Sequence, residues 1–228
     1  MAPSSLFYTL DDGQMLAYYP KKYNGSKTSL QSRNSLIGKF TENWCRELIS
    51  EYASKNSLFA INGAVSTELS LTPSSPGDLV LSKVNSTVLQ PEDIIMIFEI
   101  KQSITNNYKF LDNNIIEIGD YNTHQGNPSI LRSDSVLKSI GKATNIKISS
   151  DSARNIPIIV LGNTPIKDTY LKKVDQLKEY KIIDGFWSLN PKPLKGKSLL
   201  KSPKNGFMRI NSINSLHSNL DSLLSQYC

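Results

Sequence analysis

Three residues of this sequence, Asp78, Glu99 and Lys101, have the types and the spacing that chemistry on a phosphate requires. Glu99 and Lys101 close a run of apolar residues, 94–98. Side chains of a strand alternate between its two faces, so we expect both to emerge on the same side. A charged pair at the end of a buried strand is costly unless something there uses it. If Asp78, on the preceding strand, lies alongside, two carboxylates and one ammonium cluster at a sheet edge.

A divalent cation is the natural completion of such a cluster. Two neighbouring carboxylates repel and raise each other's pKa unless a cation neutralises them. The chain has two histidines, far apart in sequence, and two cysteines outside any Cys-x-x-Cys pair. The ligands are therefore expected to be oxygens, which favour Mg²⁺, Mn²⁺ or Ca²⁺ over Zn²⁺. Mg²⁺ would polarise a phosphoryl oxygen and acidify a bound water, with Lys101 orienting that water or stabilising negative charge, so the cluster predicts metal-assisted hydrolysis of a phosphodiester.

The competing interpretation of residues 99–101 is a solvated strand end. A Glu-x-Lys spacing is short enough to arise by chance, and the chain repeats it at residues 179–181. That second copy lies at the end of a predicted helix and has no apolar run before it. The strand context and the acid on the strand before favour the catalytic interpretation of the first copy.

The elements that must position these residues alternate between helix and strand, which predicts one α/β domain. Residues 1–38 have no firm period and are expected to form an irregular arm. Helical spacing of apolar residues predicts four helices. Two of them span 41–55 and 168–180. A third begins at Ser133 or Asp134 and is expected to turn Val136, Leu137, Ile140 and Ala143 inward, and the last, at the end of the chain, has Ile213, Leu216, Leu220, Leu223 and Leu224 on one stripe. Strands are predicted at 57–61, 78–81, 94–100, 156–161, 182–187 and 207–210.

The residues around Asp78 and Glu99 resemble the motif of a known family. Pro76-Gly77-Asp78, followed by Phe98-Glu99-Ile100-Lys101, is similar to the motif of the PD-(D/E)xK nuclease superfamily, although Gly77 stands where the pattern usually has proline. The length of 228 residues and the single-domain layout resemble a type II restriction endonuclease most. The resemblance covers the motif and the order helix, strand, strand, strand, helix, strand over about residues 40 to 162.

The resemblance implies a restriction-endonuclease-like core, with a central mixed β-sheet flanked by helices. It implies Mg²⁺, with Mn²⁺ as a substitute, bound by Asp78, Glu99 and the main-chain carbonyl of Ile100, and Lys101 beside the attacking water. An acid from the preceding helix often joins such sites, and Glu47 and Glu51 are the candidates; a plain surface carboxylate is the alternative for each. The expected activity is that of a type II site-specific deoxyribonuclease acting on double-stranded DNA.

Contacts to DNA are expected from two other segments. The polar segment 102–132 leaves the predicted active-site strand directly and carries side chains able to address base edges: Asn106, Asn107, Lys109, Asn122, His124, Gln125, Asn127 and Arg132. An irregular basic loop, with no acidic residue between Asp184 and Asp221, would contact phosphates through Lys192, Lys195, Lys197, Lys201 and Lys204. An ordinary polar loop and a solvated lysine-rich connector are the respective alternatives.

The expected organisation is a single nuclease domain, 1–228, with an arm at 1–38, a catalytic core at about 40–190, a basic loop at 190–206 and a C-terminal strand and helix at 207–228. A palindromic target would call for a homodimer. The apolar stripe of the last helix could form the dimer interface, and the alternative is that this stripe packs on the core of its own chain. A cognate DNA methyltransferase is the further partner that the resemblance implies. No apolar run approaches the roughly 20 residues of a membrane span, so a cytoplasmic protein is expected. The resemblance implies in addition a prokaryotic source.

Two other functions stay open from sequence. A structure-selective nuclease, such as a junction resolvase or repair enzyme, would need the same three residues without a long base-reading segment. A non-catalytic, basic nucleic-acid-binding protein would use the net charge of +6 and leave Glu99 and Lys101 as a surface pair.

Overall fold

The computed structural model describes residues 2–27, 31–189 and 199–227. Within them lie ten strands and four α-helices. In chain order these are β1 (Tyr8–Thr9), β2 (Gln14–Leu16), α1 (Gln31–Lys55), β3 (Phe59–Ala64), β4 (Gly77–Ser82), β5 (Ile94–Ile100), β6 (Asn107–Leu111), β7 (Asn114–Gly119), α2 (Ser133–Lys147), β8 (Ile158–Gly162), α3 (Asp168–Glu179), β9 (Gly185–Leu189), β10 (Phe207–Ile210) and α4 (Ile213–Leu224).

The central sheet of the described chain is mixed and has the strand order β10-β9-β8-β5-β4-β3. β3, β4 and β5 form an antiparallel meander, and β8, β9 and β10 continue the sheet from β5 in parallel. Parallel neighbours need long crossovers, which α2 and α3 supply between β5 and β8 and between β8 and β9. The predicted α/β class and mixed central sheet flanked by helices are therefore confirmed.

The two faces of this sheet bury separate clusters. On one face, Leu79 and Phe98 pack with α1 and α4, for example against Ile49 and Leu220. On the opposite face, Val80 and Ile97 pack with α2 and α3, together with Val136 and Val174. Because side chains alternate along a strand, Asp78 and Glu99 share the face of Val80 and Ile97, the one covered by α2.

The N-terminal segment is not an irregular arm, and that prediction was wrong. β1 and β2 pair with the hairpin β6–β7 in a second, antiparallel sheet of order β1-β2-β6-β7. The Asn107 side chain joins this sheet to the chain beyond β2, accepting from the Ala17 N–H at 2.6 Å and donating to the Tyr18 carbonyl at 3.1 Å. Strands of two and three residues are too short to show alternation in a sequence.

Helix α1 begins at Gln31, ten residues before the predicted start at Thr41. The Thr41 hydroxyl donates to the Gly38 carbonyl inside the helix at 2.9 Å and caps nothing. Residues 31–35 are all polar, so they carry no apolar stripe to reveal the helix. Its first part is held by Ile37, which is buried against the N-terminal segment with Leu6 and Met15.

Other predicted elements are close to those observed. β5 and β10 have the predicted bounds, and most other bounds shift by a few residues. Leu137 was expected to face inward, but it is 57% exposed, and Ser139 is buried in α2 instead. Leu216, Leu220 and Leu223 of α4 pack on the central sheet, so the chain's own core, not a dimer interface, takes this stripe. No helix in the described ranges has the length and apolar character to cross a bilayer.

Candidate active site

The candidate site is built where β4 begins and β5 ends. The two strands are antiparallel with Leu79 opposite Phe98, and continuing this register sets Asp78 opposite Glu99. The Asp78 carboxylate accepts the Ile100 N–H at 2.8 Å. Asp78 is therefore fixed to the backbone of the strand that carries Glu99.

The two carboxylates converge on the same cations. Lys101 is ion-paired with Glu99, and its Nζ lies 3.7 Å from Asp78 Oδ2. The Lys101 Nζ also donates to the Ile100 carbonyl at 3.3 Å. The structure thus brings together Asp78, Glu99, Lys101 and the Ile100 carbonyl, the four groups singled out from the sequence.

Lys142 is the residue that sequence reasoning missed. It projects from α2, and its Nζ lies 2.9 Å from Asp78 Oδ1 and 2.8 Å from Glu99 Oε2. The signal for it in the sequence is weak, since Lys142 merely flanks the buried stripe formed by Ser139, Ala143 and Ile146. Only the packing of α2 on this face of the sheet reveals its role.

Burial, mutual repulsion and the nearby lysines shift the pKa values of the two carboxyls in opposite directions. Burial and the charge of Asp78 raise the pKa of Glu99, whose side chain is 8% exposed, against the opposing effect of the lysines. Burial also acts to raise the pKa of Asp78, but Lys101, Lys142 and the Ile100 N–H outweigh it and lower that pKa. Two carboxyls at one site behave in this way, because the negative charge of one makes ionisation of the other less favourable.

Glu42, rather than Glu47 or Glu51, is the α1 acid whose charge is felt at this site. Its pKa is raised by burial and by Asp78, and it also interacts with Lys101 and Lys142. Glu47 and Glu51 are exposed, and Glu51 forms a 2.7 Å ion pair with Lys55. Their candidacy as auxiliary acids is withdrawn in favour of Glu42, which lies nearer the N-terminal end of α1.

The chain that follows β5 is anchored to the end of β8. The Lys101 N–H donates to the Leu161 carbonyl at 2.8 Å, and the Lys101 carbonyl accepts the Ser129 hydroxyl at 2.6 Å. Ser129 in turn accepts the Asn163 N–H at 3.0 Å. The backbone of Lys101 is thus held on both sides, which orients its side chain toward the carboxylates.

A groove of about 420 Å³ opens beside Lys101. Its walls include Asn34 of α1 and, from the segment before and within α2, Asn127, Arg132 and Lys138. Arg132 and Lys138 both pair with Asp134, at 3.5 and 3.1 Å, and remain largely exposed. The groove therefore offers amide and cationic groups next to the candidate active site.

The predicted base-contacting residues fall into two groups. Asn127 and Arg132 line the groove, while Asn106, Lys109, Asn122 and Gln125 are at least partly exposed elsewhere. Asn107 and His124 are each 2% exposed, so their side chains have no access to a base edge, and we remove both from the set. The Asn107 side chain is engaged in hydrogen bonds with the main chain, and the His124 ring packs against that of Tyr18 with ring centroids 5.0 Å apart.

The basic loop is described only in part. Lys192, Lys195 and Lys197 lie outside the described residues. Lys201 is exposed, whereas Lys204 is paired with Glu179 at 2.9 Å. Among the described lysines of this loop, Lys201 is thus better placed than Lys204 to meet a phosphate.

The donor set suits a hard divalent cation. Two carboxylates converge on one point, between Asp78 Oδ1 and Glu99 Oε2, where the Lys142 ammonium already satisfies both oxygens. Within the described ranges no three His, Cys, Asp or Glu residues form a metal-binding group, so protein ligands would be two carboxylates, with the Ile100 carbonyl nearby. Mg²⁺ characteristically takes one or two carboxylates and keeps several waters.

Comparison with protein-family models, with curated proteins and with solved structures finds no match to this chain. The functional argument therefore depends on the geometry of Asp78, Glu99, Lys101 and Lys142.

Proposed function

We propose that this protein is a Mg²⁺-dependent endonuclease that hydrolyses phosphodiester bonds of double-stranded DNA. The observation that carries the proposal is the convergence of Asp78 and Glu99 on a single cation position with Lys101 beside them. Carboxylates this close, with side chains 17% and 8% exposed, need cationic partners, which are lysines in this structure and would include Mg²⁺ in the metal-bound protein.

Each residue has a chemical task in this reaction. Asp78 and Glu99 would hold Mg²⁺, which, when bound, supplies Lewis-acid polarisation of the phosphate and a more acidic water. Lys101, held by Leu161 and Ser129, would orient the attacking water and stabilise negative charge on the phosphate. Glu42 of α1 interacts electrostatically with Asp78, Lys101 and Lys142, and burial together with the charge of Asp78 raises its pKa.

The arrangement of elements supports the same assignment. The central sheet and its flanking helices follow the order α1, β3, β4, β5, α2, β8 that the resemblance to the PD-(D/E)xK superfamily implies, with the β6–β7 hairpin of the second sheet inserted between β5 and α2. The motif residues lie on β4 and at the end of β5. The groove beside Lys101, with Arg132 and Lys138 on its wall, gives a phosphate backbone a path to the site.

We further propose sequence-specific cutting, as in a type II restriction endonuclease. Exposed amides that follow the β6–β7 hairpin, at Asn122, Gln125 and Asn127, are of the types that read base edges. Recognition of a palindrome would require a homodimer, and a cognate methyltransferase would protect the host DNA.

The test is incubation of plasmid DNA with the protein and Mg²⁺, with sequencing of any product ends. Asp78→Asn, Glu99→Gln and Lys101→Met should each lower the cleavage rate by at least about 100-fold, because each removes charge stabilisation in the transition state. Glu179→Gln and Lys181→Met are matched controls, since they change the second Glu-x-Lys copy in the same way. Undiminished cutting by Glu99→Gln would overturn the proposal.

The products distinguish the remaining functions. Discrete fragments support sequence specificity, whereas cutting confined to branched DNA would assign a structure-selective nuclease. DNA binding that persists with no cutting under any Mg²⁺ or Mn²⁺ condition would assign a non-catalytic binding protein.

A further inference from the structure

Lys142 occupies a position that differs from that of Lys101. Its Nζ bridges the two carboxylates, 2.9 Å from Asp78 and 2.8 Å from Glu99. Lys101 is closely paired with Glu99 but is 3.7 Å from Asp78. The point shared equally by both acids is therefore filled by the ammonium of α2.

The cluster is electrically balanced by these two lysines. Asp78 and Glu99 contribute two negative charges, and Lys101 and Lys142 contribute two positive charges. The four side chains are between 8% and 21% exposed, so solvent screens them weakly. A divalent cation entering between the acids would meet the Lys142 ammonium at hydrogen-bond distance from the same oxygens, and both cannot occupy that point.

Lys142 is the lysine that must yield to a cation at this point, because its ammonium fills the point that both acids share. Its side chain reaches the acids from α2 and is 19% exposed, so rotation of its stem can withdraw the ammonium without moving a strand. The Lys101 ammonium, 3.7 Å from Asp78, lies off that point.

We propose that Lys142 is a built-in competitor of the metal: its ammonium holds Asp78 and Glu99 together in the metal-free protein and is displaced when a divalent cation binds. Lys142 is thus a positioning residue that sets the metal affinity of the site. The inference rests on the proposed function for the assignment of Asp78 and Glu99 as the metal-binding acids.

The experiment measures Mn²⁺ binding to the whole protein, without DNA, by titration calorimetry and by the electron paramagnetic resonance signal of free Mn²⁺. Lys142→Met keeps the apolar stem and removes the competing charge, so its Kd for Mn²⁺ should be at least about tenfold lower than that of the unmodified protein. Lys142→Arg, which keeps the charge, should not gain affinity. Adding Asp78→Asn to Lys142→Met should abolish the gain.

Lys172→Met is the matched charge control, because Lys172 is an exposed lysine on α3, over the same face of the sheet. It should leave the Kd within about twofold of the unmodified protein, which separates a local effect from a change in net charge. Circular dichroism of every variant verifies the fold before titration.

The outcomes separate this inference from the nuclease proposal. Tighter Mn²⁺ binding by Lys142→Met supports the inference even if no DNA is cut, in which case the proposed function alone fails. Equal or weaker binding by a folded Lys142→Met overturns the inference, and it does so without touching the nuclease proposal if the unmodified protein cuts DNA. Absence of Mn²⁺ binding in all variants overturns the inference as well.

Discussion

At the scale of single residues, the molecule contains two ways of burying a titratable side chain. Asp78 and Glu99 are stabilised by ammonium groups at hydrogen-bond distance. His124 is buried without such a partner, since neither ring nitrogen has a hydrogen-bond partner among the described residues. Burial lowers the pKa of His124 to about 4, against the weaker opposing effect of Asp120.

This histidine predicts an acid-sensitive fold. Well above pH 6.5 it is neutral in both the folded and the unfolded chain, so its contribution to stability is complete there. As the pH falls from 6.5 towards 4, the unfolded chain gains a proton that the folded protein excludes, and the free energy of unfolding decreases. We expect a loss of about 2 kcal/mol from this residue between pH 7 and pH 5.

Urea unfolding of the unmodified protein and of His124→Phe at both pH values measures this loss. Phenylalanine keeps a ring against Tyr18 and cannot titrate, so the variant should lose correspondingly less stability between pH 7 and pH 5. The comparison cancels the carboxyl groups common to both proteins. Identical pH dependence in the two proteins would show that His124 takes up a proton as readily folded as unfolded.

The residue scale is also where the sequence was most informative. Alternation along an apolar run was enough to place Glu99 and Lys101 on one face, because alternation is a local property of a strand. Lys142 could not be found in this way, since its contact with Asp78 spans 64 positions and depends on how α2 packs. Asn107 and His124 were wrongly expected to contact DNA for a related reason, because nothing in the sequence of a polar segment indicates that one of its polar side chains is buried.

At the scale of elements, short strands and local turns explain most of the differences from prediction. The β6–β7 hairpin turns through Asp112 and Asn113, both with positive φ of 49° and 60°. Such a two-residue turn suits Asn and Asp, but without glycine it resembles an ordinary polar loop in sequence. The segment 102–132, expected to be a base-contacting loop without strands, therefore contains two strands.

The segment before β10 is joined to α3 by Asp175, which gives a prediction at this scale. The Asp175 carboxylate, 6% exposed, accepts the Ser202 hydroxyl and the N–H groups of Lys204 and Gly206, the latter at 3.2 and 2.9 Å. Gly206 itself lies so close to α3 that an added Cβ would be 2.4 Å from the Val174 main chain. The segment before β10 therefore packs directly on α3 as well as being hydrogen-bonded to it.

Asp175→Ala should therefore lower the free energy of unfolding by about 3 kcal/mol, because it leaves several buried hydrogen-bond donors without an acceptor. Asp175→Asn should cost less, since its amide oxygen still accepts a hydrogen bond. Denaturant unfolding at pH 7 provides the measurement. Asp151→Ala serves as control and should change stability by at most about 0.5 kcal/mol, since the Asp151 side chain is 95% exposed. A cost for Asp175→Ala as small as that of the control would contradict the proposed anchoring.

At the scale of the whole molecule, the question is whether the net charge of +6 or one particular face attracts DNA. Two lysines allow a matched comparison. Lys138 and Lys55 each form an i,i+4 pair with a carboxylate, at 3.1 and 2.7 Å, and their side chains are 71% and 62% exposed. They differ in position, since Lys138 lines the groove beside Lys101 and Lys55 ends α1.

Lys138→Gln and Lys55→Gln lower the net charge equally, so any difference between them reports position. If DNA follows the groove to the candidate site, Lys138→Gln should weaken binding and make the slope of log affinity against log salt shallower by about one. Lys55→Gln should leave that slope unchanged. Fluorescence anisotropy of labelled duplex DNA in Ca²⁺, over a series of salt concentrations, gives both slopes. A contact between Lys138 and a phosphate would release counterions, whereas Lys55, away from the groove, would release none. Equal effects of the two substitutions would therefore mean that DNA responds to the overall charge and does not follow the groove.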